Sequence, residues 1–132
     1  MIVQKFGGTS VADPEAIRRL IDIVRDTRAR EGRGPVVVVS AMSGVTDALL
    51  AVAESAGAAA TDLALARLSQ LRERHQAAAA ALVTGGRAAD LSSLLDAHFD
   101  ELDAVVRALG VLREVSGRTL DVLASSGELL NS

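Results

Sequence analysis

Val3-Gln4-Lys5-Phe6-Gly7-Gly8-Thr9-Ser10 puts an ammonium and two adjacent glycines where a short apolar strand runs out. Glycines without a β-carbon let main-chain N–H groups turn toward an anion, Lys5 adds a point charge, and Thr9 and Ser10 add hydroxyls ahead of a helix. A Walker A loop carries its lysine after the glycines, and a dinucleotide fingerprint reads G-x-G-x-x-G. The lysine-first order matches neither.

Working outward, Asp13 is a candidate N-cap with Pro14 at the first helical position. Ile17, Leu20, Ile21 and Val24 recur on one helical face, and Arg18, Arg19, Asp22 and Arg25 fall on the other. Glu31-Gly32-Arg33-Gly34-Pro35 is a loop. Val36-Val37-Val38-Val39 follows, an unbroken β-branched run of the kind found in strands buried on both faces. Strands over residues 2–6 and 35–40, joined through a helix, predict a parallel pair with a right-handed crossover. Ligands on such sheets gather at the carboxyl ends of the strands. The first strand ends in Gly7-Gly8-Thr9-Ser10 and the second in Ser40-Ala41-Met42-Ser43-Gly44-Val45-Thr46, so the two loops should lie side by side.

From Thr46 the pattern is helical. Leu68, Leu71, His75, Ala79 and Leu82 trace one stripe, with Arg67, Arg72, Glu73 and Arg74 off it. After Gly85-Gly86, a second stripe runs through Leu91, Leu94, Leu95, His98, Leu102, Val105 and Leu109. Together they predict an antiparallel helical hairpin, preceded by a linker at Gly57-Ala58-Ala59-Ala60. Leu120, Leu123 and Leu130 predict a last apolar helix face, in which Gly127 of Ser126-Gly127-Glu128 would leave the backbone open to a ligand.

The 132 residues fit one domain, and 49% hydrophobic with 23% charged residues is ordinary for a globular protein. A net charge of −3 with only two aromatic residues, Phe6 and Phe99, argues against nucleic-acid binding. No apolar run approaches the ~20 residues of a membrane span, so no membrane partner is expected. The absence of cysteine fits a reducing compartment and the cytoplasm is the expected location. His75 and His98 are far apart without ligand-spaced partners and read as helix-face residues, so no metal site is expected.

Lys5-Phe6-Gly7-Gly8-Thr9-Ser10-Val11, then Ser40-Ala41-Met42-Ser43-Gly44-Val45-Thr46, then Ser126-Gly127-Glu128 with Ser132, resemble the ordered signatures of aspartokinases, members of the amino-acid kinase superfamily. The resemblance covers essentially the whole chain, hairpin included. It implies an α/β fold of the αβα amino-acid kinase type, with residues 1–132 as the N-terminal part of the kinase domain. The nucleotide-binding half and regulatory ACT domains would then lie outside it.

The implied activity is ATP-dependent phosphorylation of the L-aspartate β-carboxylate to 4-phospho-L-aspartate, with Mg²⁺, at the start of lysine, threonine and methionine biosynthesis. By the same resemblance Lys5 would be catalytic, touching the transferred phosphoryl group. Gly7, Gly8, Thr9, Ser10, Ser40 and Gly44 would hold the ATP phosphates. Thr46 and Glu128 would bind aspartate, Glu128 through the α-ammonium, while Arg118 and Asp121 would be structural support. A relative acting on glutamate, carbamate or a nucleoside monophosphate is an alternative, as is a non-catalytic phosphate-binding module. A fragment of this kind is expected to be inactive alone, and to self-associate or form a homo-oligomer.

Overall fold

A computed structural model of the chain describes residues 1–132. The first strand, β1 (Val3–Phe6), pairs in parallel with β2 (Val36–Val39), placing Val3 beside Val36 and Lys5 beside Val38. The Val36 N–H donates to the Ile2 carbonyl (2.9 Å) and the Ser40 N–H to the Phe6 carbonyl (3.0 Å), extending the ladder at both ends. The predicted strand spans are thus correct to within a residue.

Helix α1 (Pro14–Glu31) forms the crossover. The Asp13 carboxylate accepts from the Ala16 N–H at 2.7 Å, and Gly32, at φ 68°, ends the helix in the left-handed conformation that favours glycine. α1 lies on the Gln4 and Phe6 side of β1. Gln4 donates to the Thr27 hydroxyl at 2.8 Å, and Phe6 shares a cavity with Ala16, Leu20 and Ile23. Side chains alternate along a strand, so Val3, Lys5, Val36 and Val38 share the opposite face.

That opposite face is open. Val3, Val36 and Val38 on it are 55%, 49% and 45% exposed, and Val37 on the α1 side is itself 38% exposed, so the expectation of a strand buried on both faces does not hold. The reason is where the helices go. α2 (Val45–Gly57), α3 (Thr61–Leu82), α4 (Gly86–Leu112) and α5 (Gly117–Leu129) pack on one another, and the main core of 18 buried residues comes from them and from Ala41, Met42 and Leu130. No strand contributes to that cluster.

α2 is the centre of the bundle, with Val45, Leu49, Val52, Ala53 and Ala56 fully buried. α3 buries Leu68, Leu71 and His75 as predicted. Its arginines are not merely solvated, however. Arg67 donates to the Ala51 carbonyl at 3.0 Å, Arg72 bonds the Asp96 carbonyl at 2.8 Å and lies over the Phe99 ring, and Arg74 reaches two loops.

The phase of α4 differs from the predicted stripe. Leu94 is 62% exposed and His98 is exposed beside Glu101, while Phe99 and Val106 are buried with Leu95, Leu102 and Leu109. The turn at 57–60 and the break at Gly85, φ 74°, fall where predicted. No helix is long and apolar enough to cross a membrane.

Candidate functional site

The two loops at the carboxyl ends of β1 and β2 adjoin. After Phe6 the chain makes a 3-10 turn over Gly8–Val11, closed by the Ser10 N–H on the Gly7 carbonyl at 2.8 Å. The Ser10 N–H is therefore used within the turn, whereas the first N–H groups of any such turn have no partner inside it. A β-carbon at Gly8 would stand 3.2 Å from the Ala41 carbonyl oxygen and 3.7 Å from the Ser43 Cα. The two main chains approach this closely because Gly8 has no side chain. Thr9 and Ser10 are exposed beside them.

Lys5 is exposed three residues before the turn and enters no ion pair. Ser40, bonded through its N–H to Phe6, opens the second loop, and Gly44 closes it at φ 77°, directly ahead of α2. Thr46 lies exposed in the first turn of α2. It is not the cap, a position Gly44 holds without any side-chain hydrogen bond. The N-terminal N–H groups of α2 thus face the same end of the sheet as the Gly8 turn, with the positive end of the helix dipole behind them.

Ser126-Gly127-Glu128 reaches this region from α5. Contrary to the expectation that Gly127 leaves backbone free for a ligand, Gly127 is buried in a helix–helix contact. A β-carbon there would meet Ala41 Cβ and Val45 Cγ1 at 3.2 Å and Leu49 Cδ1 at 3.3 Å. Its smallness seats α5 on the second loop and α2. Glu128 then borders an open cleft of about 550 Å³ with Ser125, Leu129, Ser132 and Val37–Val39 of β2. Val38, the strand neighbour of Lys5, lines that cleft, whereas Thr9 and Ser10 border a separate cavity with Phe6 and α1. Arg118 and Asp121 are exposed and make neither an ion pair nor a side-chain hydrogen bond.

Two further residues hold this region together without any sequence signal that marks them. Asn131 donates to the Ser40 carbonyl at 2.6 Å, and Arg74 donates to the Ser43 carbonyl at 2.9 Å and the Ala12 carbonyl at 3.0 Å. Their acceptors are main-chain oxygens distant in sequence, which leave no local pattern to read.

His75 lies behind the loops. It is buried, with Nδ1 against the Leu71 carbonyl at 2.8 Å and its ring edge-on to Phe99 at 5.5 Å. Burial lowers its pKa; the Leu71 carbonyl opposes that and the nearby Arg74 adds to it. A neutral ring donating from Nδ1 suits the Leu71 carbonyl and leaves Nε2 buried without a hydrogen-bond partner.

Residues 1–132 match the amino acid kinase family as a whole. The chain is 34% identical over 128 residues to the chloroplastic bifunctional aspartokinase/homoserine dehydrogenase 2 of Arabidopsis thaliana, covering 96% of this chain and 13% of that protein. It is 33% identical to the chloroplastic aspartokinase 1 of the same plant, over 98% of this chain and 22% of the relative. Over 54 residues it is 50% identical to an aspartokinase of Mycobacterium bovis. The structure superposes on Escherichia coli aspartokinase III, solved in complex with lysine and aspartate in its T-state, with a TM-score of 0.78 at 27% identity. That match covers 99% of this chain and 27% of the other, so the chain spans between 13% and 27% of the length of these relatives. The match across residues 1–132, and a fold shared with aspartokinase III over 99% of this chain, place the chain, with its lysine-first glycine turn beside a second glycine loop, in the amino acid kinase family.

Proposed function

We propose that this chain supplies the phosphate-binding and acceptor-binding part of an aspartate kinase. In that reading an oxygen of the aspartate β-carboxylate attacks the γ-phosphorus of ATP, the bond to the bridging oxygen breaks, and ADP leaves with the electron pair. The attacking carboxylate is already ionised at neutral pH, so no general base is required. The barrier is repulsion between two anions, and the remedy is fixed positive charge and N–H dipoles where charge moves.

Lys5, the Gly8 turn and the start of α2 offer that chemistry from adjoining positions. The donor set fits a triphosphate: one free ammonium, main-chain N–H groups, and the hydroxyls of Thr9, Ser10 and Ser40. Mg²⁺ bound to the nucleotide would neutralise part of its charge, and the cation would be carried by the phosphates, since no three His, Asp or Glu side chains converge here. Glu128, exposed in the cleft beside β2, is suited to the α-ammonium of the acceptor through a charge-assisted hydrogen bond.

The observation that carries the reading is the contact of Gly8 with Ala41 and Ser43, which joins two otherwise ordinary turns into one site. Calorimetry with ATP and with L-aspartate, separately and together, tests it. Binding of both is expected, with the aspartate signal lost in Glu128→Ala and the ATP signal weakened in Lys5→Ala. Phosphate binding that ignores aspartate would reduce the chain to an anion-binding module, and no binding of either ligand would sink the proposal.

A further inference from the structure

We infer that Arg74, on the helical hairpin, is a positioning residue that sets the spacing between the two site loops. The inference rests on the phosphate-site reading above and deepens it. The root of the loops is held by the Ser40 N–H on the Phe6 carbonyl. Beyond that point no hydrogen bond runs directly from one loop to the other. Arg74 alone among the side chains bonds both: one terminal nitrogen donates to the Ser43 carbonyl at 2.9 Å, the other to the Ala12 carbonyl at 3.0 Å.

A guanidinium holds its donors in a fixed planar fork, so bonding two carbonyls at once fixes the separation of those carbonyls as well as their presence. Ser43 directly precedes the glycine that starts α2, and Ala12 directly follows the Gly8–Val11 turn. The fork therefore spans the far ends of both loops, opposite the root. Both of its hydrogen bonds go to the protein's own main chain, and its role is to hold the loops' own N–H groups at the distance an extended polyphosphate requires.

This arrangement gives the hairpin a task. α3 packs its apolar stripe into the bundle core and presents Arg74 toward the sheet end, so a single side chain of the hairpin bonds both site loops. Neither acceptor is a side chain, so replacing Ser43 or Ala12 with another residue leaves the clamp in place.

Amide hydrogen exchange on the 132-residue chain decides the matter without any ligand. The Ser10 N–H, bonded to Gly7, and the Val45 N–H, bonded to Met42, report on the two loops. In Arg74→Ala both should exchange at least about tenfold faster, with Leu49 and Val106 in the core unchanged, a pattern of local opening. Unchanged exchange at both loop amides overturns the inference, and so does uniform acceleration through the core, which would make Arg74 a residue of general stability. Titration with inorganic tripolyphosphate gives the second readout. Arg74→Ala should weaken binding roughly tenfold, the scale of one charge-assisted hydrogen bond. Added guanidinium should restore it, and Arg74→Lys, which keeps the charge but not the fork, should not. A lysine variant with wild-type affinity would show that charge alone matters and would overturn the spacing role. If the unsubstituted chain ignores tripolyphosphate, the phosphate-site reading falls, and the exchange data still decide whether Arg74 clamps the loops.

Discussion

A glycine is replaceable wherever a β-carbon would have room, and by that measure Gly7 and Gly8 are not equivalent. Gly7 sits at φ −77°, ψ 173° and a β-carbon there would meet nothing within 4 Å, while Gly8 abuts the Ala41 carbonyl. Gly7→Ala should therefore be neutral or stabilising by about 0.4–1 kcal/mol through the unfolded chain. Gly8→Ala should cost about 1–3 kcal/mol, because the obstructing atom is main chain and cannot rotate away. Urea unfolding of the two variants separates them, and equal midpoints would show that the loops do not touch as described. Lys5 carries a different expectation. In an enzyme assembled around this site, Lys5→Ala should lower kcat by roughly 10²–10³, the effect of losing one preorganised donor to the transition state; steady-state kinetics with unchanged kcat would remove it from the mechanism. His75 adds a pH dependence. Its folded pKa lies below its unfolded value, so between the two the unfolded chain binds more protons, and stability falls as pH drops below about 6.5. Urea midpoints at pH 7.5 and 5.5 should differ, and the difference should shrink in His75→Leu; an equal difference in that variant would place the acid sensitivity elsewhere.

Between elements, α4 comes close to the start of α3 at Gly110. A β-carbon on Gly110 would overlap the hydroxyl of Thr61 and lie 3.3 Å from its Cβ. Gly110→Ala should thus destabilise by about 1–3 kcal/mol despite the better helix propensity of alanine. In a Thr61→Ala background the hydroxyl and methyl are gone, only the Cβ contact remains, and the same change should cost much less. A double-mutant cycle by chemical denaturation checks this, and an unchanged cost in the second background would mean that the helices are spaced differently. The elements themselves are largely legible in sequence because their signals are local: Asp13-Pro14 starts α1, Gly32 stops it, and Gly85-Gly86 divides the hairpin. The rotation of α4 is not. It carries apolar residues on more than one side, with Leu95, Phe99, Leu102, Val106 and Leu109 turned into the core and Val105 shared with a cavity against α5. A helix with two partners has two admissible stripes, and periodicity does not choose between them. Of the site, the two loops and their adjacency follow from strand pairing alone. The burial of Gly127 and the reach of Arg74 and Asn131 depend on how separate helices dock, which no local spacing encodes.

At the scale of the molecule, two regions have opposite characters. The bundle of α2–α5 has its own dry core, whereas the sheet has two strands, an unpaired outer edge on each, and one uncovered face formed by Val3, Lys5, Val36 and Val38. A β-branched strand of this kind gains its stability by burial, so an open valine face with free strand edges favours contact with other polypeptide. The 132-residue chain should accordingly self-associate at micromolar concentration through the sheet rather than the bundle. A single charge placed within the apolar patch opposes both face contact and edge pairing at little cost to the fold, since the position is half exposed. Val36→Glu should therefore shift the chain toward monomer in sedimentation velocity while leaving its thermal midpoint nearly unchanged. Leu94→Glu, at a comparably exposed apolar position on α4, should leave the association intact. Association abolished by the α4 change and indifferent to the β2 change would move the contact surface from the sheet to the bundle. A monomer at all concentrations without either substitution would mean that the valine face is tolerated in water as it stands.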